Sequence, residues 1–202
     1  MGCGQASPLI NYAGITERRL IGIDNEASQL VQLRSRMAEI AGVDDEKWEL
    51  IAGDLQNCPL PAGPYAMVIM YKILHFFSLK ECKEVVAKVD QNMVKGSLVS
   101  ICVHSSKHPA NDPANPDNEA FFKHFFTQED FESLFPANKF DRLYHADIER
   151  NYEKMNLQVA ALWAEKVITD MNVTSHREKA DIRHHATMQK TTAEIINVYR
   201  KI

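Results

Sequence analysis

The sequence predicts an α/β fold with a mainly parallel sheet, and three features carry that prediction. Short β-rich apolar runs alternate with segments of helical periodicity through the first half of the chain. Two of those runs end alike, a strand followed by an acid: RRLIGID closes on Asp24 and WELIAGD on Asp54. The chain opens on MGCGQAS, where Gly2, Cys3 and Gly4 give a backbone bare enough to approach a nucleotide or phosphate closely.

The elements follow in order. A first strand covers Arg18–Asp24, and a helix follows with Leu30, Leu33, Met37 and Ile40 at helical spacing and Gly42 as its stop. Trp48–Asp54 is the second strand and Tyr65–Tyr71 (YAMVIMY) the third. LKECKEVVAKVDQNMV then reads as a helix, with Lys95-Gly96 at its turn, and Ser97–His104 as the fourth strand. The segment from Ser105 to Asn118 is rich in Pro, Asn, Asp and His, a long loop of the kind that serves function. Thr127 and Asp130 carry a capping signature for the helix TQEDFESLF, which Pro136 ends. KFDRLYHADIER and NLQVAALWAEKV read as two strands joined by NYEKM, a connection short enough to force antiparallel pairing. From Thr174 or Ser175 onward, Ile182, Met188, Ile195, Tyr199 and Ile202 fall on a helical stripe, with Ser175 and Glu178 as a capping box.

Bulk properties narrow the function classes. At 202 residues and 45% hydrophobic, the chain can bury one sizeable core. A net charge of −4 and a pI near 6.1 give no overall positive field, which argues against nucleic acid or an anionic membrane as partner. Cys3, Cys58, Cys82 and Cys102 are scattered without a C-x-x-C pair and read as free thiols in a reducing, cytoplasmic setting. No apolar run approaches the ~20 residues of a membrane span.

With these elements placed, the chain resembles the class I S-adenosylmethionine-dependent methyltransferases of small-molecule type. GCGQAS looks like the tail of that family's glycine motif, IGID like its second-strand acid and AGDL like its third-strand motif. MVIMYKILHFF is similar to the strand and helix start that line the active site, and the two late strands look like the family's antiparallel pair. The resemblance implies a Rossmann-like sheet, mostly parallel with a C-terminal antiparallel hairpin and helices on both faces. It spans roughly Gly2 to Lys166, so residues 1–169 are expected to form the core and residues 170–202 a C-terminal amphipathic helix. The family's first strand, which precedes the glycine loop, has no residues here. That leaves two unpaired edges at the sheet's centre and makes the chain read as a late start within a longer protein.

S-adenosylmethionine is the cofactor that the resemblance implies. Gly2, Cys3 and Gly4 would pass under its methionine part, Asp24 with Asn25 would meet the ribose hydroxyls, and Asp54 with Leu55 would meet the adenine. Tyr71 would border the same pocket. The spacing agrees, since Asp24 lies 20 residues after Gly4 at a strand end, where a carboxylate can take both hydroxyls of a vicinal diol. Each acid also has a plainer reading as a helix cap or turn residue. Tyr71 and Lys72, at one strand end, are candidates for the acceptor side; Tyr71 and His104, at successive strand ends, are the catalytic candidates, with His104 the base if the acceptor must lose a proton. His75 reads as structural, and Phe121, Phe122, Phe125 and Phe126 as core or as an acceptor wall. His108 and His124 lack a carboxylate or cysteine at metal-ligand spacing, so no metal site is assigned.

Three functions stay open on these residues. The first is methyl transfer to a small molecule. The second is a truncated or non-catalytic methyltransferase-fold protein acting through its C-terminal helix, which carries His176, His184, His185 and several basic residues and would dock on the core or pair with a second copy. The third is a nicotinamide-dependent oxidoreductase, disfavoured by Ser7 at the third glycine position of the dinucleotide fingerprint.

Overall fold

The computed structural model describes residues 2–4, 10, 17–39, 47–114, 122–151, 157–172, 174–175, 179 and 191–202. The chain divides into two compact units, one of Met1–Asp147 with Glu194–Ile202 and the other of Ile148–Ala193.

The first unit is built on strands in two sheets. β1 (Leu20–Asp24) and β2 (Trp48–Ala52) pair in parallel, Leu20 opposite Trp48 and Asp24 opposite Ala52. β3 (Tyr65–Tyr71) and β4 (Met93–His104) also run parallel, with Val68 opposite Val99 and Met70 opposite Ile101. β6 (Thr191–Lys201) joins β4 antiparallel, and β5 (Phe140–Asn151) lies outside it, giving the order β3-β4-β6-β5. Asp141 meets Arg200 and His145 meets Asn197, so numbers rise along β5 as they fall along β6, the antiparallel sense. Among the described residues, then, β1 and β3 are each a sheet edge.

Helices cover these sheets by amphipathic burial. α1 (Ala27–Ala38) buries Leu30, Leu33 and Met37 against Trp48 and Cys3. α2 (Leu79–Asp90) begins at a capping box, the Ser78 amide donating to Glu81 Oε2 at 2.7 Å, and buries Cys82, Val85, Val86 and Val89. α3 (Gln128–Leu134) starts at the Thr127/Asp130 box that the sequence predicts and places Phe131 beside Phe126 in the main core. Tyr199 of β6 stacks on Phe135 at 4.5 Å, tying the last strand to the same core.

Four sequence expectations are corrected. Residues 157–170 form a helix, α4 (Leu157–Asp170), where a strand was expected. Its Ala160, Ala161 and Ala164 are strong helix formers and poor strand formers, and an i,i+4 ion pair joins Lys166 to Asp170. Residues 191–201 form β6, where the C-terminal helix was expected, so pairing through that helix loses its basis over this stretch. Ile195 and Tyr199 are four apart, a spacing that suits either period, but burial alternates from Ile195 through Asn197 to Tyr199 and the segment is dense in Thr, Ile, Val and Tyr. The partner of β5 is therefore β6, and among the described residues no hairpin joins 139–150 to 156–167. The strand after α2 also begins earlier than expected, because Met93–Gly96 belong to β4, with a register shift opposite Tyr65–Met67 and Gly96 at φ +89°. Ile40, Gly42, Phe121, His176, Glu178, Ile182, His184, His185 and Met188 lie outside the described residues.

Candidate active site

The carboxyl ends of β1, β2, β3 and β4 bring most of the predicted site residues together. Gly2, Cys3 and Gly4 lie along the tip of β1: the Cys3 amide donates to the Ile23 carbonyl at 3.1 Å, and the Gly4 amide to Asp24 Oδ2 at 2.8 Å. Asp24 Oδ1 accepts from the Glu26 amide at 3.0 Å, so one carboxylate ties the opening loop to the entrance of α1. Gly2 and Gly4 both adopt left-handed φ, +57° and +52°. A Cβ on Gly2 would sit 2.6 Å from Ile73 Cδ1, just beyond β3, whereas a Cβ on Gly4 would meet nothing within 4 Å. Open volume therefore borders Gly4, whose amide is held to Asp24.

Asp54 stands next door. The Gly53 amide donates to the Asp24 carbonyl at 2.9 Å, and exposed Asp54 accepts the Gln56 amide at 2.9 Å through Oδ1. Both acids thus fill the plainer turn role and also share the loop's rim. Asn25 is exposed on that rim. Leu55 is 5% exposed with its side chain in the main core, so its backbone is what it offers a ligand. Burial, with Asp24 nearby, pushes the Cys3 thiol up to about 11, which keeps it protonated and unreactive.

The ends of β3 and β4 carry a different chemistry. Tyr71 lies opposite Cys102, but its hydroxyl points back to Ser100 Oγ at 3.1 Å, below the rim. Lys72 takes φ +57°, rare for a side-chain-bearing residue, and its amide donates to the Cys102 carbonyl at 2.8 Å. His75, in the 3-10 turn Leu74–Phe76, is 1% exposed and stacks on His104, ring centroids 4.1 Å apart. His108 packs on His104 at 4.1 Å, with Phe122 edge-on to His75 and His104 at 4.9 Å. The Lys123 and His124 amides donate to the His75 carbonyl, and the Phe126 amide to that of His104 at 3.0 Å, which clamps the aromatic segment over the rim.

Burial decides the electrostatics of this ring cluster. His75 falls to about 2 and His104 to about 4, in both cases mainly because an imidazolium would be desolvated, with neighbouring histidines and Lys72 adding to the effect. Both rings are neutral near pH 7. Their Nδ1 atoms are buried without a hydrogen-bond partner among the described residues. His124 is drawn away to Asp130 Oδ2 at 3.0 Å, and no described group of three or more His, Cys, Asp or Glu is arranged to hold a metal. Sequence reasoning missed Glu194, 6% exposed on β6 opposite His104 and ion-paired with Lys72, because its segment was read as helix. The density of β-branched residues in TTAEIINVY was the available signal.

Comparison with known proteins agrees with this geometry. A family model described as a methyltransferase domain matches residues 1–96. The fold is that of the class I methyltransferases. YcgJ of Bacillus subtilis aligns over 99% of this chain and 88% of its own at 14% identity and a TM-score of 0.66. A SAM-dependent methyltransferase from Methanosarcina mazei aligns over 100% and 90% at 13% identity and a TM-score of 0.63. TehB from Haemophilus influenzae matches over the whole chain at 10% identity and a TM-score of 0.65, and this chain spans 56% of its length. Comparison with curated proteins gives no sequence match. No helix among the described residues is long and apolar enough to cross a membrane.

Proposed function

We propose that the chain binds S-adenosylmethionine on the rim formed by Gly2–Gly4, Asp24 and Asp54 and transfers its methyl group to a small-molecule acceptor at the ends of β3 and β4. The observation that carries this reading is the Gly4-to-Asp24 tether, which sets a glycine loop and a strand-end carboxylate at one place beside open volume. The donor set suits the cofactor: Asp24 and Asn25 would receive the ribose hydroxyls, and Asp54 with the Leu55 backbone the adenine edge. Gly2, Cys3 and Gly4 would flank the methionine part. When bound, the cofactor supplies a sulfonium-activated methyl carbon, so the chain's own task is mainly to align the acceptor. His104 would accept the acceptor's proton as the new bond to carbon forms, then release it to water; a neutral imidazole is the state that can do so. Tyr71, engaged with Ser100, would shape the wall between the two halves. The net charge of −4 favours a small acceptor over nucleic acid, and the free cysteines fit a cytoplasmic protein.

Calorimetric titration of the chain with S-adenosylhomocysteine and, separately, with NADH tests this. Binding of S-adenosylhomocysteine alone is expected. Binding of NADH alone would overturn the reading in favour of hydride transfer, and binding of neither in favour of a non-catalytic role.

A further inference from the structure

The acceptor side holds one acid that the reading above does not use. Glu194 is buried on β6, directly across from His104 in the β4–β6 register. Its Oε1 pairs with the Lys72 ammonium, and its Oε2 receives the Cys102 thiol at 3.6 Å. The chain thus spends a buried carboxylate and a left-handed lysine backbone on a single pair at the rim, a costly arrangement for stability alone.

We propose that Glu194 is a positioning residue of the acceptor side: it fixes the Lys72 ammonium in an ion pair and presents a buried negative charge to the imidazole of His104. The inference rests on His104 as proton acceptor. His104 is faced by His75 from the turn after β3, by His108 from the loop after β4, by Lys72 from the end of β3 and by Glu194 from β6. Burial, His108 and Lys72 oppose its protonation, and Glu194 favours it. When His104 takes a proton, Glu194 is therefore the carboxylate that stabilises the imidazolium, and its bond to Lys72 governs how strongly the ammonium is felt.

The test is the titration of the His104 ring by NMR in the full chain, with its signal assigned by loss in His104→Gln. Removing the ammonium in Lys72→Met is expected to raise the His104 pKa by about half a unit or more, and removing the carboxylate charge in Glu194→Gln to lower it by a similar amount. Shifts of the same sign, or no shift in either variant, would overturn the proposal, because a merely structural pair changes stability without opposite displacements of one histidine. Should Glu194→Gln fail to fold, Lys72→Met decides alone, since its side chain is 42% exposed, and no upward shift then overturns the proposal. Failure of S-adenosylhomocysteine to bind would sink the methyl-transfer reading while leaving these histidine shifts standing, so the two failures are distinguishable.

Discussion

The glycine-loop side and the histidine side of the rim are built on opposite principles. On the first, backbone amides and strand-end carboxylates do the work, each held by short-range bonds such as Gly4 to Asp24. On the second, side chains from β3, a 3-10 turn, β4, a returning loop and β6 crowd into a buried ring cluster. Their supports differ as well. The described residues of the β1–β2 side bury a cluster of five, whereas those of the four-stranded sheet bury nineteen. On the proposed reading, the first side would hold the cofactor with backbone and two acids, and the second would meet the acceptor with side chains fixed by a deeper core.

Core truncations test that difference most severely. Phe131→Ala, fully buried under the four-stranded sheet, is expected to cost about 3–5 kcal/mol in urea unfolding, and Leu33→Ala in the smaller cluster about 2–3 kcal/mol. Equal costs would mean that the two sides are equally well supported. Next in size is Asp24→Ala, which removes both the loop tether and the proposed ribose ligand. Its S-adenosylhomocysteine affinity should fall by about 3 kcal/mol, roughly 100-fold, with circular dichroism unchanged. Affinity within a few-fold of wild type would relieve Asp24 of any ligand role.

Gly2→Ala should cost about 1–2 kcal/mol, from left-handed φ and the approach to Ile73, while Gly4→Ala, with open space around its Cβ, should cost about 1 kcal/mol or less. The pH dependence of stability sharpens the comparison in another way. His75 and His104 stay neutral in the fold, whereas the unfolded chain takes up protons near the ordinary value of 6.5. Stability is therefore full above pH 6.5 and declines as pH falls toward 4, by about 1.4 kcal/mol per unit for each histidine. His75→Leu should remove about half of that slope in thermal melts across this window, and an unchanged slope would place the acid sensitivity elsewhere.

The same contrast explains what the sequence made legible. Glycines and strand-end acids act locally, so Gly2, Gly4, Asp24 and Asp54 could be read from spacing and do gather on one rim. β1 to β4 and the two capped helices were equally visible, since each carries its own period and cap. The second half defeated pattern reading where two periods coincide. Val159 to Trp163 looked like a strand until its alanines are weighed, and Ile195 with Tyr199 looked helical although the intervening residues alternate in burial. The histidine cluster was only half visible, because stacking between His75, His104 and His108 depends on how a turn and a loop fold back onto β4.

Sequence distance gives the Lys72–Glu194 pair a kinetic meaning. The tether from Gly4 closes over 20 positions, but Lys72 meets Glu194 across 122. Loop closure of that length is slow, so the glycine-loop rim can organise early while the histidine end waits for β6 to be made and zipped beside β4. A nascent or partly unravelled chain would then hold its glycine-loop rim before its histidine cluster is complete, which separates the two in time as well as in space.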